Sequence, residues 1–217
     1  MSWTITPQQR IPAVIGEPFG GGYFAGYISH TADGNPTHAL IVAPRAAGAT
    51  GTGYTLTTNL VWKTASTTTA GTTSPFDGAA NTAAMVTAGI ADHPAAQFCK
   101  NLNIGGFTDW YLPARYELEI AYFNLKPTTS GNSAGLGINI YAVPQRNNVW
   151  TASYPTQTAL TAFNTSTESF IAANHWASTE AGPSNGFFTQ FINGFADSGG
   201  TGKSGTFCVR AFRRIAL

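Results

Sequence analysis

The chain has 217 residues, of which 43% are hydrophobic and only 10% charged, with a formal net charge of +1. That length can bury a core without staples, and ordinary apolar content with little net charge excludes a disordered chain. Without a basic stripe to track phosphates, nucleic-acid binding is excluded as a class. The polar surface must come from Thr, Ser, Asn, Gln and Gly, a composition that suits an extracellular or virion β-rich protein. Residues 1–6, Met-Ser-Trp-Thr-Ile-Thr, show no basic segment followed by an apolar run, so no secretory signal is expected. No stretch approaches the length of a membrane span.

In chain order, residues 19–28 read as a strand. Tyr23, Ala25 and Tyr27 share one face, with Phe24 and Ile28 displaced to the other. Residues 39–43 read as a second, more buried strand, and the Asp-Gly-Asn-Pro turn chemistry between them makes residues 1–45 an N-terminal hairpin. Residues 46–80 are rich in Gly, Ala, Thr and Ser and read as an insertion or loop, or as a segment that orders against neighbouring chains. A helical pattern opens at Asn81 and runs through Met85 and Ile90 to Phe98, Cys99 and Leu102. It is broken at Pro94 and ended by Gly105-Gly106. A second helix is expected from Pro113 or Ala114 to about Leu125, with Leu118, Ala121, Tyr122 and Leu125 at helical spacing. Beyond Lys126, the aromatic segments 148–151, 174–178, 186–191 and 206–212 read as short antiparallel strands. Strands, two helices, then strands make an α+β arrangement over one domain, residues 1–217, with residues 81–217 as its core. Arg210, Arg213 and Arg214 read as edge or termination charges on the last strand.

Catalytic and metal signatures fail on context. Gly131-Asn-Ser133-Ala-Gly135 matches a nucleophile elbow but lacks the strand before it and the helix after it. Gly200-Thr-Gly-Lys203-Ser204 lacks the first glycine of a phosphate loop, where Asp197 stands, and reads as a solvent loop between two strands. His30, His38, His93 and His175 form no i, i+4 zinc pair, with His93 read as a helix-break residue beside Pro94. Asp33, Asp77 and Asp92 make no calcium-loop run, although a calcium ion on carbonyls and one or two carboxylates stays open. Neither a cofactor nor a metal is expected.

Two segments carry a family resemblance: residues 105–118, Gly-Gly-Phe-Thr-Asp109-Trp110-Tyr-Leu112-Pro113-Ala-Arg115-Tyr-Glu117-Leu, and residues 176–180, Trp176-Ala-Ser178-Thr-Glu180, followed by a closing Cys208-Val-Arg210-Ala-Phe-Arg213. The pair resembles a bacterial and phage domain family with a "G-DWRLPT-EL" element, then "YWSSTE", then "VR-VR", covering residues 80–217. Tyr111, Ala114, His175 and Ala177 depart from that pattern. The resemblance implies a C-type-lectin-like fold, related to the formylglycine-generating enzyme, of the kind used by phage tail fibres and receptor-binding proteins. It also implies that Cys99 and Cys208 are neighbours. On chemistry they form either a disulfide worth about 3–5 kcal/mol or two buried thiols. The close C-terminal cysteine pair of the formylglycine-generating enzyme is missing, which argues against that activity.

From the residues themselves, Asp109 caps a turn, Trp110 and Leu112 plug the core, and Glu117 meets the positive end of a helix dipole. Arg115 and Glu117 hold loops. Trp176 is core, while Ser178, Thr179 and Glu180 pin a long loop. The candidate ligand-binding residues are Trp150, Tyr154, His175, Asn185, Phe187, Phe188 and Asn193, rigid rings among small polar side chains. The expected function is that of a phage tail receptor-binding module, a homotrimer held by other virion tail proteins and made in the host cytoplasm. Its partner would be a bacterial surface glycan or outer-membrane protein. A structural virion decoration or connector protein is the alternative. An enzyme would need Glu117, Glu119, Glu168 and Glu180 to meet in space.

Overall fold

The computed structural model describes residues 10–51, 59–164 and 166–217; the segment inspected for a signal lies outside them. Its elements are β1 (Pro18–Phe19), β2 (Gly22–Ile28), β3 (His38–Val42), α1 (Arg45–Gly48), β4 (Leu60–Val61), α2 (Gly78–Gly89), α3 (Pro94–Lys100), α4 (Arg115–Leu125), β5 (Ala142–Val143), α5 (Thr161–Asn164), β6 (Asn174–Glu180), β7 (Asn185–Gln190), β8 (Thr201–Gly202), β9 (Thr206–Phe207) and β10 (Phe212–Ala216). The protein is mixed α+β with antiparallel sheets. The main sheet runs β1-β2-β3-β10 with β5 added on β2; β6-β7-β8 form a second sheet and β4-β9 a two-stranded ribbon. None of the described helices is long and apolar enough to cross a membrane.

The main sheet separates two cores because its strands alternate at period two. On β3, Leu40 and Val42 enter one core with Leu118, Ala121, Tyr122 and Leu125 of α4. Ala39 and Ile41 enter the other, with Met85 of α2, Cys99 of α3, Trp62, Trp110 and Trp176. Both faces are covered, which is why residues 39–43 form a nearly unbroken apolar run. On β2 the expected alternation fails at one place. The register with β3 shifts between Phe24 and Gly26, so Ala25 is an extra, bulged residue. The bulge reverses the parity downstream. Ile28 therefore joins Ala25 in the α4 core, and Tyr27 stacks edge-on with Phe24 in the other, ring centroids 4.9 Å apart.

The helices follow their local signals, except that α2 opens at Gly78, ahead of the expected Asn81. Asp77 caps α2 by accepting from Ala80 N at 2.8 Å. Pro94 opens α3 after a single turn of 3-10 helix at Ile90–Asp92. α4 begins one residue after Ala114. Residues 148–151 are not a strand; Trp150 lies in a loop with only an isolated bridge between Thr151 and Tyr154 beside it.

Residues 52–58 of the Gly/Thr-rich segment lie outside the described residues; residues 63–69 of it are tied into their own chain. Lys63 Nζ donates to Thr67 O, Thr68 O and Thr69 Oγ1 at 2.9–3.2 Å. His93 holds the Gly89 carbonyl on Nδ1 at 2.9 Å and Thr69 Oγ1 on Nε2 at 2.8 Å, so it fastens this loop to the end of α2 as well as standing at the helix break. The loop around Lys203, expected in solvent, is also inside: Lys203 is fully buried and ion-paired to Glu180.

The three motif segments meet. Ser178 N donates to Pro113 O at 2.7 Å and Arg115 N to Thr179 Oγ1 at 3.1 Å. Tyr111 exchanges both backbone bonds with Phe212 at 2.8 and 2.9 Å. Asp109 does not cap a turn; its carboxylate pairs with Arg213. The basic cluster at the C-terminus is likewise ion-paired, Arg214 to Asp77 and the buried Arg210 to Glu168, rather than left as free edge charge. Cys99 and Cys208 are both buried free thiols. Cys99 Sγ donates to Ala95 O within its own helix and Cys208 Sγ to Asn59, so the disulfide alternative does not hold.

Candidate functional site

Helix α4 carries the motif on its first turn and the wall of a cleft on its outer side. Glu117, buried at that turn, accepts from Ala114 N at 2.7 Å, Gly78 N at 3.2 Å and the Tyr111 hydroxyl at 2.7 Å. One carboxyl thus serves the N-terminal amides of both α4 and α2. Burial outweighs these bonds and pushes its pKa up to about 7. Gly78 leaves no room for a side chain here, since a Cβ would stand 2.4 Å from Glu117 Oε2. Glu117 is thus a structural tie.

Arg115, Tyr116 and Glu119 line a cleft of about 160 Å³ together with Phe187 and Phe188 of β7, Gly137 and Trp150. The Trp150 indole is a wall of this cleft and also of a second one of about 340 Å³, which Tyr154, Phe123 and Arg146 line. The two clefts share this one wall, and the pair is called the groove. The indole lies close to Gly137 and Gly194. A Cβ on Gly137 would stand 2.1 Å from Trp150 Cδ1 and Nε1, and one on Gly194 2.4 Å from Cζ3. Only glycine permits that approach, and both residues hold positive φ, 100° and 73°.

Beneath the groove Glu119 Oε2 is held by Arg146 and by Asn139 Nδ2. Burial raises the Glu119 pKa and the Arg146 charge opposes it. Arg146 also lies over the Phe123 ring at 4.3 Å. Among the described residues, the buried side-chain polar atoms without a partner are three: Glu119 Oε1, Arg146 Nε and Trp150 Nε1. All three belong to residues that wall this groove. By contrast, Trp62, Trp110 and Trp176 each donate their indole N–H to a carbonyl at 2.8–3.0 Å. An orphaned buried polar atom costs about 1–3 kcal/mol, and all three of these belong to residues lining the two clefts.

Of the expected ligand-binding residues, Trp150, Phe187 and Phe188 reach the first cleft, and Tyr154, 56% exposed, lines the second. Trp150 and Phe188 do so as buried walls, not as exposed platforms. His175 is removed from any ligand. It is 1% exposed, its Nδ1 lies 3.1 Å from Ala173 O, its ring packs on Phe191 at 4.7 Å, and burial takes its pKa down to about 3. Asn185, at the start of β7, donates Nδ2 to Gly199 O, and Asn193 accepts from Phe195 N in a turn; neither lines either cleft. Glu119 as a groove residue, Arg146, Gly137 and Gly194 escaped the sequence reading because their meeting depends on contacts across the fold.

The four glutamates do not form a facing pair. Glu117 is held by amides and Tyr111, Glu119 by Arg146, Glu168 by Arg210 and Glu180 by Lys203. Among the described residues, no three of His, Cys, Asp and Glu stand together as metal ligands would. No protein-family model, curated protein or solved structure matches the chain.

Proposed function

We propose that this chain is a phage tail receptor-binding module with a C-type-lectin-like fold, and that its groove beside α4 holds a bacterial surface glycan. The single observation that carries the reading is the gathering of all three orphaned polar atoms in the walls of one aromatic groove. A cleft of about 160 Å³ suits one or two sugar rings better than the broad patch of a protein interface, which buries roughly 800 Å² per partner. The bonds that join the three motif segments support the fold assignment. Separate partners for each glutamate favour binding over catalysis. The proposed assembly is a homotrimer mounted on other tail proteins of the virion.

The test is binding of labelled chain to a panel of bacteria and their polysaccharide-deficient mutants. Strain-selective binding that disappears with one surface component is expected, and it should weaken in Tyr154→Ala and in Ile138→Asp, a residue 51% exposed that also lines the first cleft. A folded chain that binds no strain but decorates virions would replace this reading with the structural one. Loss of polysaccharide viscosity on incubation would make it an enzyme instead.

A further inference from the structure

Arg146, Arg210, Arg213 and Arg214 are each ion-paired. Arg115 is not. Its guanidinium makes no hydrogen bond or ion pair with the described residues, although Glu119 stands one helical turn along α4. Glu119 is already committed to Arg146 and Asn139. The Arg115 guanidinium instead stacks over the Phe187 ring at 4.1 Å and beside Tyr116 at 5.2 Å. Stacking on the face of the fork leaves its edge N–H donors free, the edge that grips a carboxylate or phosphate through two parallel bonds. Across the groove the charged residues are Arg115, Glu119 and Arg146, an excess of one positive charge. The first cleft is also lined by Glu119, one turn along the same helix wall, whose Oε1 lacks a donor, and by Trp150, whose Nε1–H lacks an acceptor and lies against Gly137. Trp150 is 3% exposed, and the Glu119 side chain 12%.

From this juxtaposition we infer that the ligand is an anionic sugar residue, its carboxylate or phosphate on the Arg115 edge and its ring in the cleft that Tyr116, Phe187 and Trp150 line. A purely apolar or neutral ligand would leave Arg115 unanswered. The inference deepens the glycan reading above and rests on it.

The experiment takes polysaccharide extracted from each strain of the panel in three forms: native, carboxyl-reduced and dephosphorylated. Affinities are measured for the wild-type chain and for Arg115→Gln, Arg115→Lys and Phe187→Leu. One of the two chemical treatments is expected to weaken wild-type binding by about tenfold or more, and which treatment does so names the anion. Arg115→Gln should lose the same factor, become indifferent to the treatment, and keep the wild-type thermal midpoint. Arg115→Lys retains the charge without the fork and should fall between, and Phe187→Leu should weaken binding to the charged form more than to the neutral form. Binding that survives both treatments, with Arg115→Gln as tight as wild type, overturns the anionic assignment and leaves the glycan reading standing. No binding to any extracted polysaccharide, from a chain that also ignores whole cells, overturns both.

Discussion

Among the described residues three acid–base pairs are withdrawn from solvent, Glu180–Lys203, Glu168–Arg210 and Glu119–Arg146, and the surroundings of the first and the last differ. Around Glu180–Lys203, Lys203 Nζ also donates to Thr67 O and Pro183 O, while Glu180 takes Thr69 N and the Thr72 hydroxyl. Burial lowers the Lys203 pKa and Glu180 opposes the shift. Around Glu119–Arg146, each partner keeps an unbonded polar atom, and the tryptophan beside them keeps a third. A buried ion pair recovers its desolvation cost only when its remaining donors and acceptors are filled. The first pair meets that condition and fastens the Thr-rich loop to β6. The last does not, and it lies beneath a groove.

The largest effect that would sharpen this contrast is expected from Lys203→Met. It strands the Glu180 carboxylate in the interior and should cost about 3–5 kcal/mol in urea unfolding. If it costs no more than a groove substitution, the distinction between the two pairs collapses.

Glu117 belongs to the satisfied side of the comparison but has no cation bonded to it. Its pKa is raised in the folded state to about 7 from an ordinary 4.5. The folded chain therefore binds this proton more tightly than the unfolded one. The associated stability is full below about pH 4.5 and fades as pH rises to about 7, by an amount on the order of 3 kcal/mol. Unfolding curves at pH 5 and pH 8 should show this loss in the wild type, and Glu117→Gln should flatten it. Equal slopes in the two proteins would remove the assignment.

On the groove side, Glu119→Gln keeps shape and a donor–acceptor end. It should cost only about 1–2 kcal/mol by the same denaturation assay, while cell binding falls more steeply than stability. The smallest effect on folding is expected for Tyr154→Ala. That side chain is 56% exposed, so stability should stay within about 0.5 kcal/mol while binding drops. A Tyr154 variant that binds as well as wild type would confine recognition to the Arg115 cleft.

Helix α4 was legible because its signals are local: Pro113 before the first turn, then Leu118, Ala121, Tyr122 and Leu125 on one stripe. The break at Pro94 was legible for the same reason, a ring that cannot donate or continue α2. The parity of β2 was not, because nothing in Phe24-Ala25-Gly26 announces that β3 will pair so as to leave Ala25 over. The site was half legible. Phe187 and Tyr154 can be named from composition, but Arg115 reads from sequence as a loop holder, and nothing local marks Arg146, Gly137 or Gly194.

By itself, then, the sequence determined what depends on neighbours within a turn or two: where α3 and α4 begin, that β2 and β3 are strands, and that the chain is α+β, while the short pairings β4, β5 and β8 left no local signal and residues 148–151 carried a strand pattern without forming one. Tertiary structure alone decided which charges are inside. Lys203 looks like a loop lysine until Glu180, 23 residues away, and Thr67, 136 residues away, close around it. Burial of a charge is set by the partners that replace its water, and the fold brings those partners from far along the chain.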